Sequence, residues 1–321
     1  MTSRISLPSL AIAIGAGLAS ALLFASLVGG SMFALPLFVL SALPLGIVAF
    51  GWGTRLGVLA AVTATLLVAF ALGLPAAIAL VLAVALPMPL ACHLLGLARP
   101  ADPAAPVATP VEWYPTGRVL MVLAFVIIGG TVVGGLAIGF DPIETSREVA
   151  AAARGMVAGS ATSSAEDVSQ IEPLVHATVR LMPVFFPASW LMVTVLDLWL
   201  AAKVVARSGR LARPAEDLAQ VAVPAWAGVA FAASLALAFL DGPIGLVASV
   251  IAGALFAVHF LVGMGVLHVV TRGADMRILL LATAYGLVLL FSIPAAAIAL
   301  VGLLDAHFAF RKRRPPPPAA P

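Results

Sequence analysis

Apolar runs long enough to cross a lipid bilayer recur along almost the whole chain, and little else about it constrains the fold as strongly. Nine segments can be drawn, roughly 8–28, 32–50, 56–72, 76–97, 119–140, 183–205, 220–240, 244–270 and 278–310. A lipid core about 30 Å thick is crossed by about 20 helical residues. Composition agrees, since 63% of the 321 residues are hydrophobic and only 10% are charged. A water-soluble domain of this size needs far more surface charge. A membrane β-barrel is excluded too, because barrel strands alternate polar and apolar residues and these runs do not. The sequence therefore predicts an all-α, polytopic transmembrane bundle of about 8–10 helices. The single cysteine, Cys92, excludes an intrachain disulfide framework and a cysteine-based metal cluster.

The first segment, "LPSLAIAIGAGLASALLFASLV", exceeds a signal-peptide core and further spans follow at once, so it reads as an uncleaved helix. Short joints at Gly29-Gly30-Ser31, Gly51 to Arg55 and Gly73 to Pro75 predict tight hairpins among the first four segments. The Pro-rich stretch 98–118 reads as a linker between an N-terminal half, 1–97, and a C-terminal half, 119–310, followed by a basic and Pro-rich tail, 311–321.

Lys and Arg in short loops set the orientation. With the N-terminus cytoplasmic, the inward loops carry Arg55, Arg99 and Arg118, then Lys203, Arg207, Arg210 and Arg213, then Arg272 and Arg277. The basic loops thus concern topology in a cytoplasmic (inner) membrane rather than nucleic acid. Nine simple spans would leave the run Arg311, Lys312, Arg313 and Arg314 outside, against the charge rule. The last segment resolves this conflict if it is a hairpin: Pro294 sits mid-segment and favours a break after Ile293, with arms 278–292 and 295–310. One kinked span, or a different segment that fails to cross, are the other readings. Asp305, followed by Phe308, Phe310 and the four cations, reads as an interfacial end.

The outward loop 141–180 predicts two amphipathic helices. Asp141 caps the first, with Pro142 at its first position and Glu144 at its third. Ser164 is placed to cap the second. The pair reads as a packed cap or as a lid over a solute cavity.

Several motifs in order resemble the YybS-like bacterial integral membrane proteins, a family of unknown function. They are "LPLGIVAFGWGTRLGVLAA" (43–61), "IGFDPIETSRE" (138–148), "VLDLWLAAKVVARSGR" (195–210), "GMGVLHVVTRGADMRILLL" (263–281) and "LLDAHFAFRKRR" (303–314). The resemblance implies a multi-pass membrane fold and no catalytic or binding residues.

Chemistry is sought among ionisable groups inside the spans, because a charge at mid-membrane is costly. Two stand deep, Asp197 and His259, and a paired site for a proton or cation is one reading; a locally satisfied polar pair, or two separate polar groups, that fixes helix packing is the other. Gly130, Gly134, Gly135 and Gly139 form small-xxx-small pairs suited to close helix approach. His93, His268 and His307 sit at segment ends, and no catalytic or nucleotide motif is present. No metal site, cofactor or catalytic residue is expected. Three functions follow. The first is a non-enzymatic solute-binding or transport component, whose small-residue first helix (Ala11, Gly15, Ala19) is similar to the substrate-binding subunits of energy-coupling-factor transporters. The second is a scaffold acting through a membrane-protein partner, and the third, the least favoured by so few polar groups, is an intramembrane enzyme.

Overall fold

A computed structural model describes residues 6–101, 111–158, 165–214, 221–308 and 310–313, except for the side chains of 157, 158, 165–170, 307, 312 and 313. Arg314, Ser164, the centre of the Pro-rich stretch and the side chains of Lys312 and Arg313 lie outside the described residues. The chain is a helix bundle. In order it forms α1 (Leu7–Ala25), α2 (Ala34–Val39), α3 (Leu43–Trp52), α4 (Thr54–Leu72), α5 (Leu74–Leu80), α6 (Pro87–Leu95) and α7 (Thr116–Ala137). There follow α8 (Pro142–Ala158), α9 (Ala165–Arg207), α10 (Trp226–Leu237), α11 (Gly242–Val270), α12 (Arg277–Leu290) and α13 (Ser292–Phe308). Among the described residues, seven helical stretches are long and apolar enough to cross a membrane, while α10, α12 and α13 are shorter apolar helices. The predicted hairpin turns form at left-handed glycines: Gly30, Gly53 and Gly73 have φ of 58°, 99° and 88°.

Contacts between loops sort the helix ends. Arg213 donates to the carbonyls of Leu95 and Tyr114 and to the Thr116 hydroxyl. Arg210 stacks over Trp52 at 4.6 Å, and Thr54 meets His93. One end of the bundle therefore gathers the ends of α3, α6 and α9 and the starts of α4 and α7. The start of α1 joins them, because its far end meets Ala34 at the opposite face, where the Ser26 hydroxyl donates to the Ala34 carbonyl. Ala222, just before α10, lies against Gly117 so closely that a Cβ there would collide with its carbonyl. Asp241, just before α11, sits at the other end, 3.9 Å from Arg180.

The last segment is broken into two helices. α12 stops at Leu290, Phe291 is extended (φ −139°, ψ 141°), and α13 begins at Ser292. After α13, Arg311 donates to the carbonyl of Val221, beside the start of α7. α13 packs on α11, with Ile298 against Gly263 and Gly302 against the His259 carbonyl. The break falls two residues before the one expected at Ile293, because Pro294 occupies the first turn of α13, where a missing N–H costs no helical bond.

Two expectations are corrected. No separate second loop helix and sixth span exist: 165–207 is one helix of 43 residues, about 65 Å long. Pro173, Pro183 and Pro187 lie inside it, since each removes only one hydrogen bond and neighbouring helices hold the rest. The Pro-rich stretch is not wholly a free linker either. Its ends pair as antiparallel β1 (Ala98–Pro100) and β2 (Val111–Trp113), with Arg99 2.8 Å from Glu112. One core runs through both halves, from Ala13 in α1 to Val258 in α11.

Candidate functional site

Proline chemistry places the site. In the second span, Pro44 has no N–H for the carbonyl of Leu40, its partner in an α-helix. The Leu43 N–H takes that carbonyl instead, and residues 40–42 tighten into a 3₁₀ turn between α2 and α3. In the fourth span Pro87 likewise leaves the Ala83 carbonyl without a helical donor. Residues 81–85 widen into a π-helical stretch in which the Leu86 N–H reaches back to Val81. The indole N–H of Trp190 fills the gap, donating to Ala83 at 2.8 Å. These two interruptions touch each other, and α9 packs against the first.

Asp197 of α9 sits beside the first of these interruptions. It is fully buried, and neither carboxylate oxygen has a hydrogen-bond partner among the described residues. The backbone N–H of Ala42 faces the carboxylate without reaching hydrogen-bond geometry. Ser41, next to it in the 3₁₀ turn, is equally buried and its hydroxyl is also unpartnered. Ser20 of α1 donates to the Ser41 carbonyl at 2.7 Å. Thr194 closes onto its own helix through the Trp190 carbonyl. Phe24, Phe38, Trp190 and Phe186 form a row of rings with centroids 5.4 to 6.3 Å apart, the first two contacts tilted and the last stacked.

His259 does not join this site. Its Nδ1–H donates to the Leu255 carbonyl at 2.8 Å, and its ring stacks on Phe231 of α10 at 5.2 Å. Asp197 instead faces the turn before α3, so the paired Asp197–His259 reading gives way to two separate groups. The backbone of His259 is where α13 docks, since a Cβ on Gly302 would meet its carbonyl. Among the described residues no group of three His, Cys, Asp or Glu side chains could hold a metal ion.

The other singled-out residues have mainly architectural roles. Gly130 packs on Leu82, Gly139 (φ 67°) ends α7 in the left-handed region, and Gly134 has open space around it. Gly135 accepts the N–H of Phe140 in that helix end, so only Gly130 acts as the expected close-approach glycine. Asp141 caps α8 as predicted, accepting from the N–H groups of Ile143 (2.7 Å) and Glu144 (3.0 Å). Those bonds hold its carboxyl below the usual range. Lys203 lies over Trp199 and Arg207 ends α9. Arg311 is no plain surface charge: it is buried with Asp305, which accepts from its guanidinium at 2.6 and 2.8 Å. Asp305 is thus half of an ion pair rather than a mere interfacial end. Sequence reasoning missed Ser41, Ser20 and Trp190; the signal was in Pro44 and Pro87, each freeing a carbonyl four residues earlier.

No protein-family model matches this sequence, and no curated protein or solved structure matches it either.

Proposed function

We propose that this chain is a solute-binding or transport component of the bacterial inner membrane, with its basic end cytoplasmic, and that Asp197 is the group its ligand engages. The observation that carries the reading is a fully buried carboxylate with neither oxygen partnered among the described residues, set beside an interrupted helix. Irregular backbone at membrane depth is characteristic of sites that hold ions or solutes. Ionisable groups inside membrane spans mark pathways and relays far more often than they fill a core. The basic loops at one end support the orientation, and the motif order supports the likeness to the YybS-like proteins.

The test is charge displacement by the purified full-length chain in proteoliposomes adsorbed on a sensor electrode. Rapid jumps in HCl, NaCl or KCl are expected to produce a transient current in at least one case, abolished in Asp197→Asn. Absence of a transient in all three, or an identical one in the variant, overturns the reading.

A further inference from the structure

Resting on that reading, we infer that the ligand of Asp197 is a proton rather than a metal cation, held in a frame made by the Ser41 hydroxyl and the Ala42 N–H. A metal ion asks its site for lone pairs from several oxygens. This site offers a backbone N–H turned toward the carboxylate, and a donor aimed at a bound cation repels it. No second carboxylate or histidine joins Asp197 in a metal-holding group among the described residues. A neutral carboxyl group is different, because it carries one O–H donor and keeps acceptor capacity on its other oxygen. The turn matches that inventory once a proton is bound: Ser41 Oγ, buried and unpartnered, makes no hydrogen bond with the carboxylate in this structure and is open to accept an O–H, and the Ala42 N–H faces the carboxylate.

Among the described residues, none forms an ion pair that would keep the carboxylate ionised. On α9 itself the next cation is Lys203, which is drawn to Trp199. From α6 the titratable neighbour is Cys92, whose thiol lies 3.9 Å from the Gly46 carbonyl and from the Met88 sulfur. The Ser20 hydroxyl from α1 is already committed to the Ser41 carbonyl. His259 is turned to Phe231. None of these forms an ion pair with Asp197 among the described residues. Uptake needs no other reactant: one Oδ gains an O–H bond as water gives up the proton, and release reverses the step.

Infrared difference spectroscopy on the full chain in lipid, stepped in pH in NaCl and again in KCl, tests the inference. The expected result is a carboxylic-acid C=O band that appears on acidification, is lost in Asp197→Asn and is the same in both salts. Ser41→Ala, which removes only one hydroxyl, keeps a readout even where Asp197→Asn does not insert: the band is expected to shift to higher frequency. A band suppressed by one salt at fixed pH overturns the proton and leaves Asp197 as a cation site. A band unmoved by Ser41→Ala overturns the frame. No Asp197 band responding to pH or salt overturns both this inference and the transport reading.

Discussion

Two aspartates, Asp197 and Asp305, are buried to nearly the same degree, at 0% and 6% exposure, and are treated oppositely by the fold. Asp305 meets a guanidinium two ways and also accepts the Arg311 backbone N–H. Its partner arrives because a short 3₁₀ turn, Phe310–Arg313, folds the chain back after α13. Asp197 has the same carboxylate, six residues from Lys203, yet the α-helix points that lysine elsewhere and leaves both oxygens bare. Burial alone therefore does not say what an intramembrane acid does. Satisfaction does: a paired acid fastens elements together, and an orphaned one is available to a ligand.

The largest effect should come from breaking the satisfied pair. Removing one partner of a buried ion pair costs about 3–5 kcal/mol, because the other charge is left stranded. Arg311→Ala is expected to lower unfolding stability in detergent by about that amount and to loosen α13, read as faster hydrogen exchange across it. An unchanged exchange pattern would mean that the pair does not fasten α13. A smaller effect is expected at the frame of Asp197. Trp190→Phe keeps the ring row but orphans the Ala83 carbonyl, which should cost about 1–3 kcal/mol, visible in the same unfolding measurement.

The smallest effect lies at a third aspartate, Asp141 at the start of α8, exposed and satisfied by backbone donors. The folded carboxyl of Asp141 titrates below its unfolded value. Its cap is therefore fully in force above the unfolded value and fades as pH falls through the folded one. Hydrogen exchange at the first turn of α8 should rise in that acidic window, and Asp141→Asn should remove most of the pH dependence.

Much of this architecture was legible in the sequence because the relevant signals are local. Run length marks the spans, and glycine marks the turns at Gly30, Gly53 and Gly73. The break before Pro294 was legible for the same reason, because a missing N–H suits proline to a helix start. Continuity of α9 was not legible, because Pro173, Pro183 and Pro187 look like breakers until packing keeps the helix intact around them. The roles of Asp197 and Asp305 were hidden for a different reason. Whether a carboxylate has a partner depends on tertiary neighbours: Ser41 and Ala42 come from a distant span, and Arg311 looked like one more cation in a basic tail. His259 seemed a natural mate for Asp197 by composition alone, yet the faces of α9 and α11 that carry them turn to different neighbours.

The contrast itself is tested most directly by the unfolding stability of Asp197→Asn beside Asp305→Asn, measured in the same lipid–detergent mixture. Replacing an unpartnered buried carboxylate removes a group whose desolvation nothing offsets, whereas replacing a paired one strands a guanidinium. The account predicts that Asp197→Asn is at least as stable as the parent protein while Asp305→Asn is clearly weaker. A loss in Asp197→Asn as large as that in Asp305→Asn would contradict it, and would place Asp197 among the residues that hold the bundle together.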